Sequence, residues 1–217
     1  PLAHARLLSV DTSAAAAMDG VLLVATQADL DADKVGEIQC QHRLTNEDGE
    51  AMTMVSHPPM VRDVNRTAGD IVAVVIAETD SIAQDAMELI DARYDSMPAV
   101  TDVYAAIEDG APQLYDEYPR NIAFNWVEGD HVSTNAAIAG AEAAGMELFD
   151  IDVVNNRVII NSMETRPMIA GPGEEEGSLD IWCGTQGPVG VAEQIADALG
   201  MARDQVRVRT CDCLLYT

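Results

Sequence analysis

The sequence predicts an α/β (α+β) fold in which helices pack against β-sheets. Residues 71–77 form a continuous apolar run of strand length, and residues 92–95 form a short second strand that ends before Pro98. Between them, apolar side chains recur at a spacing that places them on one face of a helix: Ile82, Ala86, Leu89 and Ile90. A strand, a helix and a strand in this order favour helices packed on a sheet, although the spacing leaves parallel and antiparallel pairing open.

Two more strands are predicted near the start of the chain. Residues 6–11 alternate apolar and polar side chains, as a half-buried strand does, and Thr12 or Ser13 can cap a short helix that reaches Ala17. Residues 21–25 are apolar without interruption, which predicts a strand buried on both faces. For the same reason we expect residues 71–77 to be buried.

Residues 26–66 show no regular period and are predicted to be a long excursion from the fold. Such excursions inside compact domains are often functional or wrap around a partner. The helix that follows residue 79 has Ser81 and Gln84 at the spacing of a capping box, so its first turn is predicted to be capped there, with Asp80 as the other candidate for the cap.

The second half of the chain is predicted to contain two helices and several strands. Residues 111–130 have no period and read as a connection between domains. Asp130 is predicted to cap a helix that reaches Ala144, and a second helix is predicted to begin at Gly187-Pro188 and to end at Gly200. The predicted strands cover residues 147–154, 157–161, 178–183 and 205–210.

Composition narrows the function classes. The 217 residues carry a formal net charge of −25, which argues against binding to nucleic acid or to an anionic membrane surface. No apolar run approaches the length of a membrane span. Outside residues 211–217 only Cys40 and Cys183 are present, which is too few for a disulfide framework and favours the reducing cytoplasm. The acidic, lysine-poor composition fits either salt adaptation or an ordinary solvated surface.

Most local constellations fail as catalytic or metal sites. Cys40, His42 and His57 lack the paired spacing of structural zinc ligands. Residues 174–176 are three successive glutamates without the alternating oxygen ligands of a calcium loop, so a solvated turn is the simpler interpretation. No glycine-rich phosphate loop or nucleophile elbow occurs. We therefore assign no catalytic residue and no metal ligand.

The segment from Gly184 to Pro188 is more informative because it lies between a predicted strand end and a predicted helix start. Ligands of sheet-based α/β folds bind at that place, and a helix N-terminus favours anionic groups there. The side-chain amide of Gln186 could donate a hydrogen bond to such a ligand, or it could simply serve the helix terminus. Gln186 is the one candidate binding residue.

Taken together, these sequence features resemble a known family, the large molybdenum-cofactor-binding subunits of xanthine dehydrogenases and aldehyde oxidases. Within it, the chain looks most like the aerobic carbon monoxide dehydrogenase type. The resemblance rests on blocks whose order covers nearly the whole chain: residues 3–6, 10–13, 20–21, 69–75, 83–90, 94–100, 121–130, 155–158, 163–167 and 185–186. No single block is specific, but their order and spacing together are.

The resemblance implies a domain organisation. Residues 1–105 would form an α/β hammerhead domain without its first strand, residues 106–130 an interdomain connection, and residues 131–210 the start of a molybdenum-cofactor-binding domain. The family continues after Thr210 with a glycine-rich loop, whereas residues 211–217 read as a non-native tail. We therefore expect a fragment truncated at both ends, with the substrate loop and the catalytic glutamate of the family lying elsewhere.

The resemblance also implies a function. Gln186 would contact an oxo ligand of molybdenum, whereas Glu164 and Arg166 would form an ion pair or pack. The cofactor would be a molybdopterin, in its cytosine dinucleotide form, with FAD and [2Fe–2S] clusters on a medium and a small partner subunit in a dimer of heterotrimers. The parent would be a carbon monoxide dehydrogenase-like oxidoreductase. The alternatives are an aldehyde or N-heterocycle oxidoreductase and a stand-alone acidic scaffold module. The fragment alone is expected to be inactive.

Overall fold

The computed structural model describes residues 2–155, 158 and 167–210. Within them, no helix is long and apolar enough to cross a membrane. The strands of the described residues are β1 (Ala5–Asp11), β2 (Val21–Thr26), β3 (Val64–Asn65), β4 (Ala73–Ala77), β5 (Asp91–Ser96), β6 (Met168–Pro172), β7 (Leu179–Cys183) and β8 (Val206–Arg209). Their helices are α1 (Ser13–Ala16), α2 (Gln27–Ala32), α3 (Asp80–Glu88), α4 (Val103–Ala106), α5 (His131–Ala143) and α6 (Pro188–Leu199).

The strands form three small sheets. The first has β1 between β3 and β5, with both pairs antiparallel, and the second is the antiparallel ribbon β2–β4. The third has β7 in the centre, antiparallel to β6 and parallel to β8. Strands β4 and β5, which flank α3, therefore lie in different sheets. They pair with each other neither in parallel nor antiparallel, which answers the question that the spacing had left open.

The predicted elements around α3 are present, but the predicted burial of β2 and β4 is wrong. Leu22 and Leu23 are 66% and 51% exposed, and Val74 and Ile76 are 42% and 48% exposed. Leu23 lies opposite Ile76 in the register, so the ribbon presents apolar side chains to solvent. An apolar run predicts burial on both faces only when a layer packs on each face, and the described part of the chain leaves this face uncovered.

The N-cap of helix α3 lies two residues earlier than the capping-box spacing predicted. Thr79 is its N-cap residue, and its hydroxyl oxygen accepts a hydrogen bond from the amide of Ile82. Gln84 donates instead to the carboxylate of Asp80 at 2.8 Å. The predicted Ser81–Gln84 capping box is therefore wrong, because Thr79 already satisfies a free amide of the first turn.

Three further predictions about elements need correction. The excursion contains α2 and β3, which the lack of a period had concealed. Residues 147–154 form no strand, whereas β6 forms without having been predicted. The predicted strand 157–161 lies outside the described residues except for Val158.

The second half contains a compact core between α6 and the β7–β8 pair. Its buried members are Ile181, Ala192, Ala196 and Val206. The predicted limits of α6 are confirmed: Pro188 occupies its first turn, and Gly200 ends it with φ at 64°, a left-handed conformation that suits glycine. The predicted cap of α5 is confirmed as well, since the Asp130 carboxylate accepts a 2.9 Å hydrogen bond from the amide of Ser133.

Candidate functional site

The loop of residues 184–187 connects the carboxyl end of β7 to the first turn of α6. Both of its ends are fixed by packing. Ile181 of β7 and Ala192 of α6 belong to the same buried cluster, and β7 pairs in parallel with β8. The loop therefore lies at the edge where parallel strands end, the place where α/β folds bind ligands.

Two hydrogen bonds organise this loop. The amide of Gly187 donates to the hydroxyl oxygen of Thr185 at 3.1 Å, which closes a short turn around Gln186. The amide of Thr185 donates to the hydroxyl oxygen of Thr210 at 3.4 Å, which ties the loop to the end of β8. The sequence prediction missed both threonines. The Thr-x-Gly spacing could have indicated the first, but Thr210 is 25 residues away along the chain.

Gln186 lies where the sequence predicted it, in the loop just before α6. Its side chain is exposed, and among the described residues it has no hydrogen-bond partner. The amide group therefore remains available to donate to and accept from a ligand.

The first turn of α6 offers further donors beside Gln186. Its N-cap, Gly187, has no side chain to cap the helix, and Pro188 has no amide hydrogen. The first amides of a helix lack intrahelical partners and carry partial positive charge. A Cβ atom at Gly187 or at Gly190 would meet nothing within 4 Å, so a bulky group could approach the backbone here. The arrangement suits oxygen atoms of an anionic ligand.

The opposite face of the same sheet carries a different cluster. Because side chains alternate along a strand, Trp182 and Arg209 face away from α6 while Ile181 and Val208 face it. The guanidinium of Arg209 lies 5.1 Å from the ring centroid of Trp182 and donates to the carboxylate of Asp180 at 3.0 Å. Arg209 thus has partners of its own on this face of the sheet.

The remaining sequence candidates do not assemble into a site. Among the described residues, no three His, Cys, Asp or Glu side chains come close enough to hold a metal ion. The thiol of Cys40 donates to the carbonyl of His42 at 3.1 Å. Glu175 belongs to a turn, in which its carbonyl accepts from the amide of Ser178 at 3.0 Å. Glu164 and Arg166 lie outside the described residues.

Sequence profiles of two domain families match successive parts of the chain. Residues 1–98 match the a/b hammerhead domain of aldehyde oxidase and xanthine dehydrogenase, and residues 114–213 match the molybdopterin cofactor-binding domain. Together the two matches cover most of the sequence. The chain belongs to the xanthine dehydrogenase and aldehyde oxidase family. The predicted order of a hammerhead domain followed by the start of a molybdopterin-binding domain is thereby confirmed.

Individual family members agree with this assignment. The chain is 35% identical over 188 residues to the nicotine 6-hydroxylase large subunit of Paenarthrobacter nicotinovorans. The match covers 87% of this chain and 22% of that subunit. It is 27% identical over 226 residues to the carbon monoxide dehydrogenase large chain of Afipia carboxidovorans. This match covers 95% of the present chain and 25% of the relative. The chain thus spans about a quarter of the length of each of these two relatives.

Solved structures of the family have the same fold. The structure of carbon monoxide dehydrogenase from Oligotropha carboxidovorans superposes with a TM-score of 0.72 and 27% identity, over 95% of this chain and 25% of that chain. Quinoline 2-oxidoreductase from Pseudomonas putida 86 superposes with a TM-score of 0.69 and 29% identity, over 98% of this chain and 25% of that chain. The resemblance seen in the sequence blocks is therefore matched at the level of the fold.

Proposed function

We propose that this chain forms part of the large subunit of a molybdenum-dependent oxidoreductase and that Gln186 contacts the molybdenum cofactor. One observation carries the proposal. In the region that matches a molybdopterin-binding domain, the exposed side-chain amide of Gln186 lies directly before the N-terminus of α6, which no side chain caps. Packing of β7, β8 and α6 holds both ends of the loop, so a ligand there would meet a largely preformed surface.

The donor set of the loop suits the proposed cofactor. A molybdopterin carries phosphate oxygens, and its metal carries oxygen ligands. The Gln186 side chain can donate to an oxygen ligand, and the first amides of α6 can receive an anionic oxygen. When bound, the cofactor supplies the oxygen-atom and electron-transfer chemistry. We propose the cytosine dinucleotide form, and we assign no catalytic residue to this chain.

The proposed assembly follows the family. Electrons would leave the molybdenum centre for [2Fe–2S] clusters on a small subunit and for FAD on a medium subunit, within a dimer of heterotrimers. We place this assembly in the cytoplasm, since Cys40 and Cys183 are free thiols in the described part of the chain. We keep the predicted division at residues 105 and 130, with residues 211–217 as a non-native tail, as part of this proposal.

Three substrate classes compete within the enzyme class. Carbon monoxide oxidation is proposed first, from the blocks that resemble the carbon monoxide dehydrogenase type. Hydroxylation of an N-heterocycle is the second candidate, because the nicotine 6-hydroxylase large subunit is the more identical of the two relatives described above. An aldehyde substrate is a third possibility. Turnover assays of the complete enzyme with carbon monoxide, with an aldehyde and with an N-heterocycle distinguish the three.

The role of Gln186 is tested in the complete subunit that carries this sequence. Gln186→Ala is expected to reduce turnover by roughly tenfold or more, as loss of one preorganised hydrogen-bond donor does, and to change the electron paramagnetic resonance signal of the molybdenum centre. Gln194→Ala, a matched change further along α6, should leave both unchanged. If Gln186→Ala leaves turnover and signal unchanged, Gln186 only serves the helix terminus.

The isolated 217-residue chain offers a second test. One glutamine and one helix terminus cannot hold a pterin dinucleotide, so we expect the purified chain to contain no molybdenum. Metal analysis that finds stoichiometric molybdenum would contradict this expectation. A scaffold module that acts alone would be supported instead if a complete reading frame ended at Thr217.

A further inference from the structure

The loop after α2 reaches across to the last turn of α6. The amide of Gly36 donates a 2.6 Å hydrogen bond to the carbonyl oxygen of Ala198. A Cβ atom at position 36 would lie 3.3 Å from both the Cα and the carbonyl oxygen of Ala198, and 3.5 Å from the carbonyl oxygen of Asp197. These atoms belong to a helix backbone and cannot swing aside as a flexible side chain would. A side chain at this position would therefore require α6 to shift by a few tenths of an ångström.

The contact satisfies a particular need of α6. The last four carbonyl groups of a helix have no intrahelical partners. The turn that ends α6 satisfies two of them, since the amide of Met201 donates to Ala196 at 2.9 Å and the amide of Gly200 donates to Asp197 at 3.3 Å. The carbonyl of Ala198 receives its partner from Gly36 instead. One carbonyl of the last turn of α6 is therefore satisfied by a residue more than 160 positions earlier in the chain.

Arg62 holds the loop that carries Gly36. Its guanidinium lies 2.8 Å from the carboxylate of Asp31 in α2 and 3.4 Å from the carboxylate of Glu37, the residue directly after Gly36. Ser56 also donates to Glu37 at 2.6 Å. Because the Arg62 side chain is 42% exposed, these ion pairs add little stability, but they fix the loop on both sides of Gly36.

Few bonds connect the two predicted domains directly. Between the described residues up to 105 and those from 131 onward, side-chain and backbone hydrogen bonds occur at two places. Tyr104 donates to the carboxylate of Asp152 at 3.0 Å, and Gly36 donates to Ala198. Of these two contacts, the second involves α6, the helix whose other end carries Gln186.

We propose that Gly36 is a positioning residue: its backbone docks the first domain onto the C-terminal turn of α6, and through α6 it sets the position of the loop 184–187. The helix is the link, because Ala192 and Ala196 of α6 pack against Ile181 of β7 and Val206 of β8. This inference concerns the chain itself and holds whatever ligand the loop binds.

The proposal is tested by amide NMR spectra of the 217-residue chain without cofactor. Gly36→Ala is compared with Gly69→Ala, since neither glycine has a left-handed φ and a Cβ atom at Gly69 would meet nothing within 4 Å. Gly36→Ala should shift the amide signals of residues 196–200 and 184–190, and the amide of residue 36 should exchange roughly tenfold faster as its hydrogen bond weakens. Gly69→Ala should shift only signals near residue 69.

A second pair of variants keeps Gly36 intact. Arg62→Ala removes both ion pairs of the loop, whereas Arg93→Ala removes an exposed ion pair to Asp91 elsewhere. Arg62→Ala should shift the same α6 signals by a smaller amount, and Arg93→Ala should leave them in place. The proposal is overturned if Gly36→Ala shifts signals only near residue 36, or if Gly69→Ala shifts the α6 signals equally. If Gln186 does not contact the cofactor, the turnover assay would show it, whereas these NMR spectra would not change.

Discussion

The amide of Gly187 donates a 3.1 Å hydrogen bond to the hydroxyl oxygen of Thr185, and Gln186 lies in the turn between them. The direction in which the Gln186 side chain leaves the backbone therefore depends on a hydroxyl group one residue away. A side chain that must meet a ligand from an exposed loop position such as this one benefits from local support of the backbone that carries it.

Replacement of Thr185 tests this dependence. Thr185→Val has nearly the same shape but lacks the acceptor, so the amide of Gly187 should exchange several-fold faster and stability should fall by at most about 1 kcal/mol. Thr185→Ser retains the hydroxyl and should behave like the wild type. Amide exchange measured by NMR distinguishes the two variants. Equal exchange rates in both would show that the turn does not need this hydrogen bond.

Replacement of Ile181 tests the core that supports the loop. Ile181 is 2% exposed between β7 and α6, so Ile181→Ala should lower the free energy of unfolding by about 2–5 kcal/mol. Ile169 lies on the neighbouring strand of the same sheet but is 72% exposed, and Ile169→Ala should cost about 0.5 kcal/mol or less. Chemical denaturation of both variants provides the measurement. Similar losses in the two would contradict the placement of the core.

The elements that could be predicted from the sequence are those with local signals at both ends. Helix α6 has a Gly-Pro start, a four-residue apolar repeat and a glycine end, and all three lie within the helix or beside it. Helix α2 was missed although Thr26 and Asp29 have the spacing of a capping pair, because the acidic run obscured it. Local chemistry thus predicts where an element begins and ends.

Contacts distant in sequence could not be predicted in this way. The exposed faces of β2 and β4 show that an apolar run does not reveal which layers cover it. The loop beside Gln186 could be located from the change of pattern between strand and helix. The hydrogen bond from Thr185 to Thr210 and the one from Gly36 to Ala198 both depend on the tertiary arrangement, and each joins residues far apart in the chain.

The start of α3 provides a test of local capping. Thr79 caps the helix through the amide of Ile82, so Thr79→Ala should lower the free energy of unfolding by about 1 kcal/mol. Ser81, which the sequence pattern had favoured, makes no capping bond in the structure, and Ser81→Ala should change stability by less than about 0.5 kcal/mol. Thermal or chemical denaturation of the two variants decides between the positions. A larger loss for Ser81→Ala would return the cap to that residue.

The carboxyl group of Asp29 makes the stability of α2 depend on pH. The backbone amide of Thr26 donates to it at 2.7 Å and the hydroxyl of Thr26 at 2.8 Å, and these bonds lower the pKa of Asp29 below its ordinary value of 3.8. A carboxyl group whose pKa is lower in the folded chain stabilises the fold at pH values above its ordinary pKa. That contribution is lost as the pH falls through the pKa of the folded state.

We therefore expect an NMR titration of the Asp29 carboxyl to have its midpoint below 3.8 and the amides of α2 to lose exchange protection over the same acidic range. Thr26→Val removes the hydroxyl donor but keeps the backbone donor, so it should raise the pKa of Asp29 part of the way toward its ordinary value. Asp29→Asn cannot titrate and should abolish this acid-dependent loss of protection in α2. A midpoint for Asp29 at or above 3.8, unchanged by Thr26→Val, would contradict the assigned cause.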